Sequence, residues 1–192
     1  MNRKIFVSLF SIAVMAVMVG AVTYAYFSDS GTSSGNVFST GTLDLRLSDS
    51  DQSVQDSVSA SFGSTTLVPG SCTSVQTLNL RNSGTVNANH VEVTLDNTAS
   101  DPNMAKYLRI ASLTYDGVNV LGQITFDNGN GFTDLEDWDL DTTALDNLAL
   151  TNLNTNHALD LNVCLDSSAG NDLQGDNVTA TFTTTLNQDS SQ

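Results

Sequence analysis

The chain has 192 residues, with 21 acidic against 6 basic side chains and a formal net charge of −15. A surface this acidic repels nucleic acid phosphates and anionic lipid, which excludes both as partners of the folded part. Asn, Asp, Ser, Thr and Gly are plentiful, and Pro occurs only at Pro69 and Pro102. After the first 25 residues no long stretch has apolar residues at helical spacing; short alternating runs between turn residues point instead to an all-β, jelly-roll-like antiparallel β-sandwich.

The N-terminus departs from that pattern. Arg3 and Lys4 precede Ile5–Val22, an apolar run interrupted only by Ser8, Ser11 and Gly20, and Thr23 and Ala25 then supply small side chains. This is the layout of a signal peptide over residues 1–25, cut between Ala25 and Tyr26. The run is also long enough to span a bilayer, so a retained anchor is the alternative. After cleavage Arg46, Arg81, Lys106 and Arg109 are the basic side chains left against all the acids. That balance suits an exported protein in a salty or divalent-rich exterior, where cations screen the self-repulsion. Residues 26–36, YFSDSGTSSGN, begin with Tyr26 and Phe27 and continue as a flexible Ser/Gly tract that cannot form a core.

The β domain is expected over residues 37–192. Its first strand is predicted at 37–47, with Leu43, Leu45 and Leu47 on one face, and a weaker one around Val58, Ala60 and Phe62. Val68-Pro69-Gly70 turns into a strand over Cys72–Arg81, and Asn82-Ser83-Gly84 into one over 86–95. Residues 101–105 read as a short helix or turn before a strand at Tyr107–Tyr115. Asp116-Gly117 signals a hairpin into Val118–Val120. The stretch 127–148 is irregular, with one helical turn around Leu135–Leu140. Strands at 158–165 and 177–187 close the chain; the last buries Val178, Ala180, Phe182 and Leu186 and presents Thr179, Thr181, Thr183 and Thr185.

Cys72 and Cys164 are the only cysteines. A pair this sparse in an exported chain favours one disulfide over a metal site or nucleophile. Cys164 has the parity opposite Leu159, Leu161, Val163 and Leu165, so the bond belongs near the surface; a bond between subunits is the alternative.

The chain is not read as an enzyme. His90 lies on the polar parity of its strand beside Glu92, and His157 in an Asn/Thr-rich turn, so both are expected at the surface. There is no H-E-x-x-H pattern, G-x-S-x-G elbow or phosphate-binding glycine loop. An intramolecular isopeptide bond would have to use Lys106, and the sequence locates neither an acid nor an Asn to match it. No cofactor is firmly implied. The one metal candidate is calcium, because Asp127–Asp137 resembles an EF-hand or dockerin-like loop. Asn128, Asn130, Phe132, Asp134 and Asp137 fall at ligand positions and Gly131 at the turn glycine. Phe126 stands where the first ligand should be, and Asp137 replaces the bidentate Glu, so an ordinary polar loop is the alternative.

The junction T-Y-A-Y-F-S-D followed by V-F-S-T-G-T-L-D-L resembles the start of the TasA/camelysin (CalY) family of secreted biofilm-matrix fibre proteins, whose leader is cut by a dedicated signal peptidase. L-V-P-G, R-N-S-G-T and the turn Asn171–Asn177 running into the last strand are similar to later parts of that family, while 97–157 departs from it. The resemblance implies a jelly-roll subunit of extracellular fibres or bundling pili that polymerises head to tail by donor-strand complementation. Tyr26 and Phe27 would be the donor-strand anchors, residues 28–36 the connector, and accessory matrix or anchor subunits further partners. The competing readings are a membrane-anchored or secreted monomeric cell-surface binding module, a type IV-like pilin, and a metalloprotease of the camelysin type. The membrane would be met only through an uncleaved leader.

Overall fold

The computed structural model describes residues 2–22, 39–49, 53–59, 62–64 and 66–189. The expected cleavage site at Ala25 and Tyr26, and the donor segment 26–36 with Phe27, lie outside the described residues. The chain divides into two compact units, Met1–Ser39 and Thr40–Gln192. In the first, α1 spans Arg3–Val22. Ser8 and Ser11 sit in this apolar helix because their hydroxyls donate back to the carbonyls of Ile5 (3.0 Å) and Val7 (2.9 Å), which satisfies them without water. Its side chains are described through Met18. Among the described residues no helix is long and apolar enough to cross a membrane.

The second unit is built from antiparallel sheets. Its strands are β1 (Leu45–Ser48), β2 (Gln76–Asn82), β3 (His90–Ala99), β4 (Leu108–Tyr115), β5 (Val118–Asn119), β6 (Leu148–Ala149), β7 (His157–Leu165) and β8 (Val178–Asn187). Among the described residues one sheet has the order β1-β2-β7-β4-β5 and the other β6-β3-β8. Alternation does what it predicts on the central strands. Leu159, Leu161, Val163 and Leu165 of β7 are buried with Leu78 and Leu80 of β2, and Val91, Val93 and Leu95 of β3 face the same cluster from the other sheet. Tyr115 crosses between the sheets, its hydroxyl donating to the Ala149 carbonyl at 2.9 Å, and burial pushes its pKa well above the usual phenol range. The Asp116-Gly117 hairpin forms as expected, with both residues at positive φ (50° and 78°), the mark of the turn that matches strand twist.

Several boundaries differ from the sequence reading. The first strand is confined to Leu45–Ser48. The preceding Thr42 and Asp44 instead accept backbone hydrogen bonds from Thr85 and Ser83 at 2.8 and 2.7 Å. Gly84 is required there, because a Cβ would collide with the Thr42 carbonyl oxygen. Asn82, fully buried, holds the same turn by accepting from Gly84 N–H (3.0 Å) and donating to Val86 O (2.9 Å). No strand is found among the described residues around Val58 and Phe62. The strand expected from Cys72 begins at Gln76, and the one expected at 86–95 runs from His90 to Ala99. The short β6 lies in a stretch read as irregular.

Candidate functional site

Two places concentrate unusual structure, an open sheet edge and the loop around the one short helix of the β unit. β8 ends the sheet β6-β3-β8, and among the described residues it pairs only with β3, through ten residue pairs from His90↔Asn187 to Ala99↔Val178. Among the described residues its apolar face is only partly covered. Val178, Ala180, Phe182 and Leu186 are only half-buried, while Thr179, Thr181, Thr183 and Thr185 face solvent. Beside them a groove of about 660 Å³ opens between β8 and the core face of β7, floored by Leu161, Val163 and Leu165. Phe182 projects into it, with the rings of Phe62 and Trp138 packed edge-on at 4.8 and 5.3 Å. A long edge strand with an unfilled apolar face is a ready template for another extended segment.

The second place is residues 125–143. The helix α2 (Leu135–Leu140) is the turn expected at those residues. Asp134 caps it, accepting from Glu136 N–H (2.9 Å) and Asp137 N–H (3.0 Å), while Asp137 accepts from Asp134 N–H (3.1 Å) to complete a capping box. The side chains proposed as calcium ligands do come together, as a hydrogen-bond network. Asn128 Nδ2 donates to Asp134 Oδ2 and Glu136 Oε2, both at 3.0 Å, and Asn130 Nδ2 donates to Asp134 Oδ2 at 2.6 Å. Asn128 N–H donates to Asp137 Oδ1 (2.9 Å). Phe132 is held by an N–H bond to Asn130 Oδ1 at 3.2 Å. Burial is the main force pushing the carboxyls of Asp134 and Asp137 above the usual range, against these donors. The oxygens that a cation would need are thus engaged by amide N–H groups. Asp141, at the end of α2, behaves oppositely: burial is outweighed by donors from Thr125, Phe126 and Thr143, which hold its carboxyl below the usual range.

Both histidines, expected at the surface, are buried, with 2% of His90 and 8% of His157 exposed. The reason is register. His90 opens β3, the middle strand of its sheet, between Ala149 and Asn187, and faces Glu92 at 3.4 Å. His157 is the first residue of β7 and not part of the turn; it stacks on Tyr115 and meets Asp116 Oδ2 through Nδ1 at 2.6 Å. The two therefore stand in different sheets, each with its own carboxylate. Among the described residues no group of three or more His, Cys, Asp or Glu is placed to hold a metal ion. A zinc hydrolase centre needs about three convergent ligands and an open position, and these residues do not fit one.

Cys72 and Cys164 are joined in a disulfide within the chain. Cys72 is exposed and Cys164 half-buried on the polar face of β7. The segment before β2 already lies along β7 there, with Thr73 N–H donating to Val163 O and Leu165 N–H to Ser71 O, so the bond clamps an existing pairing.

A family model described as camelysin metallo-endopeptidase matches residues 1–114, more than half of the chain. A search of the curated proteins found no match. The matched region runs from α1 to all but the last residue of β4; the loop 125–143, β7, most of the groove and the open edge of β8 lie beyond it.

Proposed function

The chain belongs to the camelysin family, which includes TasA and CalY, and from that premise we propose that it is a structural subunit of extracellular fibres. In this reading residues 1–25 are a signal peptide removed by a signal peptidase, and the protein is secreted to the cell surface or biofilm matrix. The domain is a jelly-roll sandwich short of one strand. Residues 26–36 of one subunit supply that strand to the next, pairing with the edge of β8 while Tyr26 and Phe27 fill apolar space in the groove. Repeated head to tail, the contact does not close and gives a filament.

The observation that carries this reading is the ten-residue edge of β8 with its half-buried apolar face beside an open groove. Each added backbone hydrogen bond contributes a net ~0.5–1.5 kcal/mol, and burying Tyr26 and Phe27 roughly 1.5–3 kcal/mol each. Ordering the Ser/Gly connector costs about 1–2 kcal/mol per residue. The two nearly offset, so the aromatic anchors decide the outcome. Deleting residues 26–36 is expected to leave a folded monomer that forms no filaments by electron microscopy. Filaments from the truncated protein would overturn the proposal and favour the monomeric or anchored module. The protease reading rests on the family's description alone, since the two histidines stand apart in separate sheets. Calcium remains a candidate ligand of the 127–137 loop only if Asn128 and Asn130 turn their amide oxygens inward.

A further inference from the structure

Lys106 is, with Lys4, one of two lysines in the chain, and the sequence offers it no partner. The fold does. Lys106 lies in the 3₁₀ turn Met104–Tyr107, and its Nζ stands 3.7 Å from Glu136 Oε1 on α2. The other oxygen of the same carboxylate, Oε2, accepts from Asn128 Nδ2 at 3.0 Å. The Asn128 side chain is fixed further, its Nδ2 also donating to buried Asp134 and its Oδ1 accepting the Asn130 backbone N–H at 3.2 Å. Asn130 Nδ2 in turn donates to the Lys106 carbonyl at 3.1 Å, which ties the asparagine loop to the lysine turn.

We propose that Lys106 and Asn128 form an intramolecular isopeptide bond, with Glu136 as the proton-transfer group between them. The lysine ammonium passes one proton to the Glu136 carboxylate, and the freed Nζ lone pair attacks Asn128 Cγ, forming the N–C bond. Negative charge develops on Asn128 Oδ1, where the Asn130 N–H already points. The Cγ–Nδ2 bond then breaks. Nδ2 takes up the proton held by Glu136 as the bond breaks, gains the second proton lost from Nζ, and departs as ammonium. A lysine ammonium and a carboxamide become a secondary amide and ammonium, so atoms and charge balance without an oxidant or other reagent. The Glu136 carboxylate gathers the two reacting groups, with Nζ 3.7 Å from Oε1 and Asn128 Nδ2 3.0 Å from Oε2, and proximity of this kind is what such a reaction draws on. The competing attack on Asn128 Cγ, by the backbone nitrogen of Gly129, is disfavoured because that N–H is engaged with Asp127 Oδ1 at 2.7 Å. The product would link the turn before β4 to the loop before α2.

Mass spectrometry of the full-length chain, purified, denatured and reduced, tests this. The wild type is expected to be lighter than its sequence by one ammonia, to resist trypsin after Lys106, and to yield a branched peptide joining residues 106 and 128. Lys106→Arg, which keeps the ion pair with Glu136, should restore the full mass. Glu136→Gln should do the same while retaining an acceptor for Asn128. An unshifted wild-type mass, or an ammonia loss that persists in Lys106→Arg and maps to a succinimide, overturns the proposal. A bond that still forms in Glu136→Gln overturns the role of Glu136.

Discussion

Asp141 follows α2 and is nearly buried, a placement that alone would raise its pKa. Five donors reverse the effect. Its Oδ2 accepts from Thr125 N–H (2.5 Å), Thr125 Oγ1 (2.9 Å) and Phe126 N–H (3.0 Å), and its Oδ1 from Thr143 N–H (3.1 Å) and Thr143 Oγ1 (2.9 Å). These bonds favour the carboxylate and hold the group well below the usual range. A carboxyl depressed in the folded state stabilises fully above its unfolded pKa, near 3.9, and that contribution is lost as pH falls toward the folded value. Asp141→Asn should therefore cost roughly 1–3 kcal/mol at pH 7, with the gap from wild type narrowing as urea titrations move below about pH 4. A gap that stays constant with pH would mean that the charge is irrelevant and only packing was lost. The same site shows the limit of reading residues alone. Asp141 carries no motif, and only the chain's return past Thr125 and Thr143 reveals it.

At the scale of elements, the strands with strict alternation and clean turn residues were legible. β7, β8, the hairpin at Asp116-Gly117 and the short α2 fall where the residues place them. Thr42–Asp44 misled because Leu43 continues the alternation of Leu45 and Leu47, yet the backbone there is taken up by the turn around Gly84. His157 misled in the other direction, since a turn-like Asn/Thr context hid the first residue of a ladder between β2 and β4. The disulfide was legible from cysteine number, and its surface position from parity on β7. It closes 92 residues of sequence separation, which in the chain-entropy account stabilises by roughly 4 kcal/mol. Replacing Cys72 and Cys164 together by serine should lower the stability read from urea midpoints by about that amount, while far-ultraviolet circular dichroism stays that of the β fold. A loss below about 1 kcal/mol would show that the pairing of 71–73 with β7 already restricts the unfolded chain, against the entropic account.

For the whole molecule, the question is whether the open edge is used. Ala180 lies on the half-buried groove face of β8 and Thr183 on its solvent face. A charge placed in an apolar docking groove is desolvated without a partner, whereas one on the outer face stays hydrated. Ala180→Asp is therefore expected to abolish filaments while the monomer keeps its cooperative melting transition, and Thr183→Asp is expected to leave filaments unchanged. Equal behaviour of the two variants by electron microscopy would move the assembly contact off this edge.

Composition, strand periodicity, the N-terminal apolar run and the cysteine pair were set by sequence alone, because each depends on residues near one another along the chain or on totals over it. The burial of His90 and His157, the commitment of Asp134 and Asp137 to amide donors, and the meeting of Lys106, Glu136 and Asn128 were decided only by tertiary structure. Those depend on which strand edge lies beside which and on loops returning across a sheet. Long-range pairing of this kind leaves no local period in the sequence to be read.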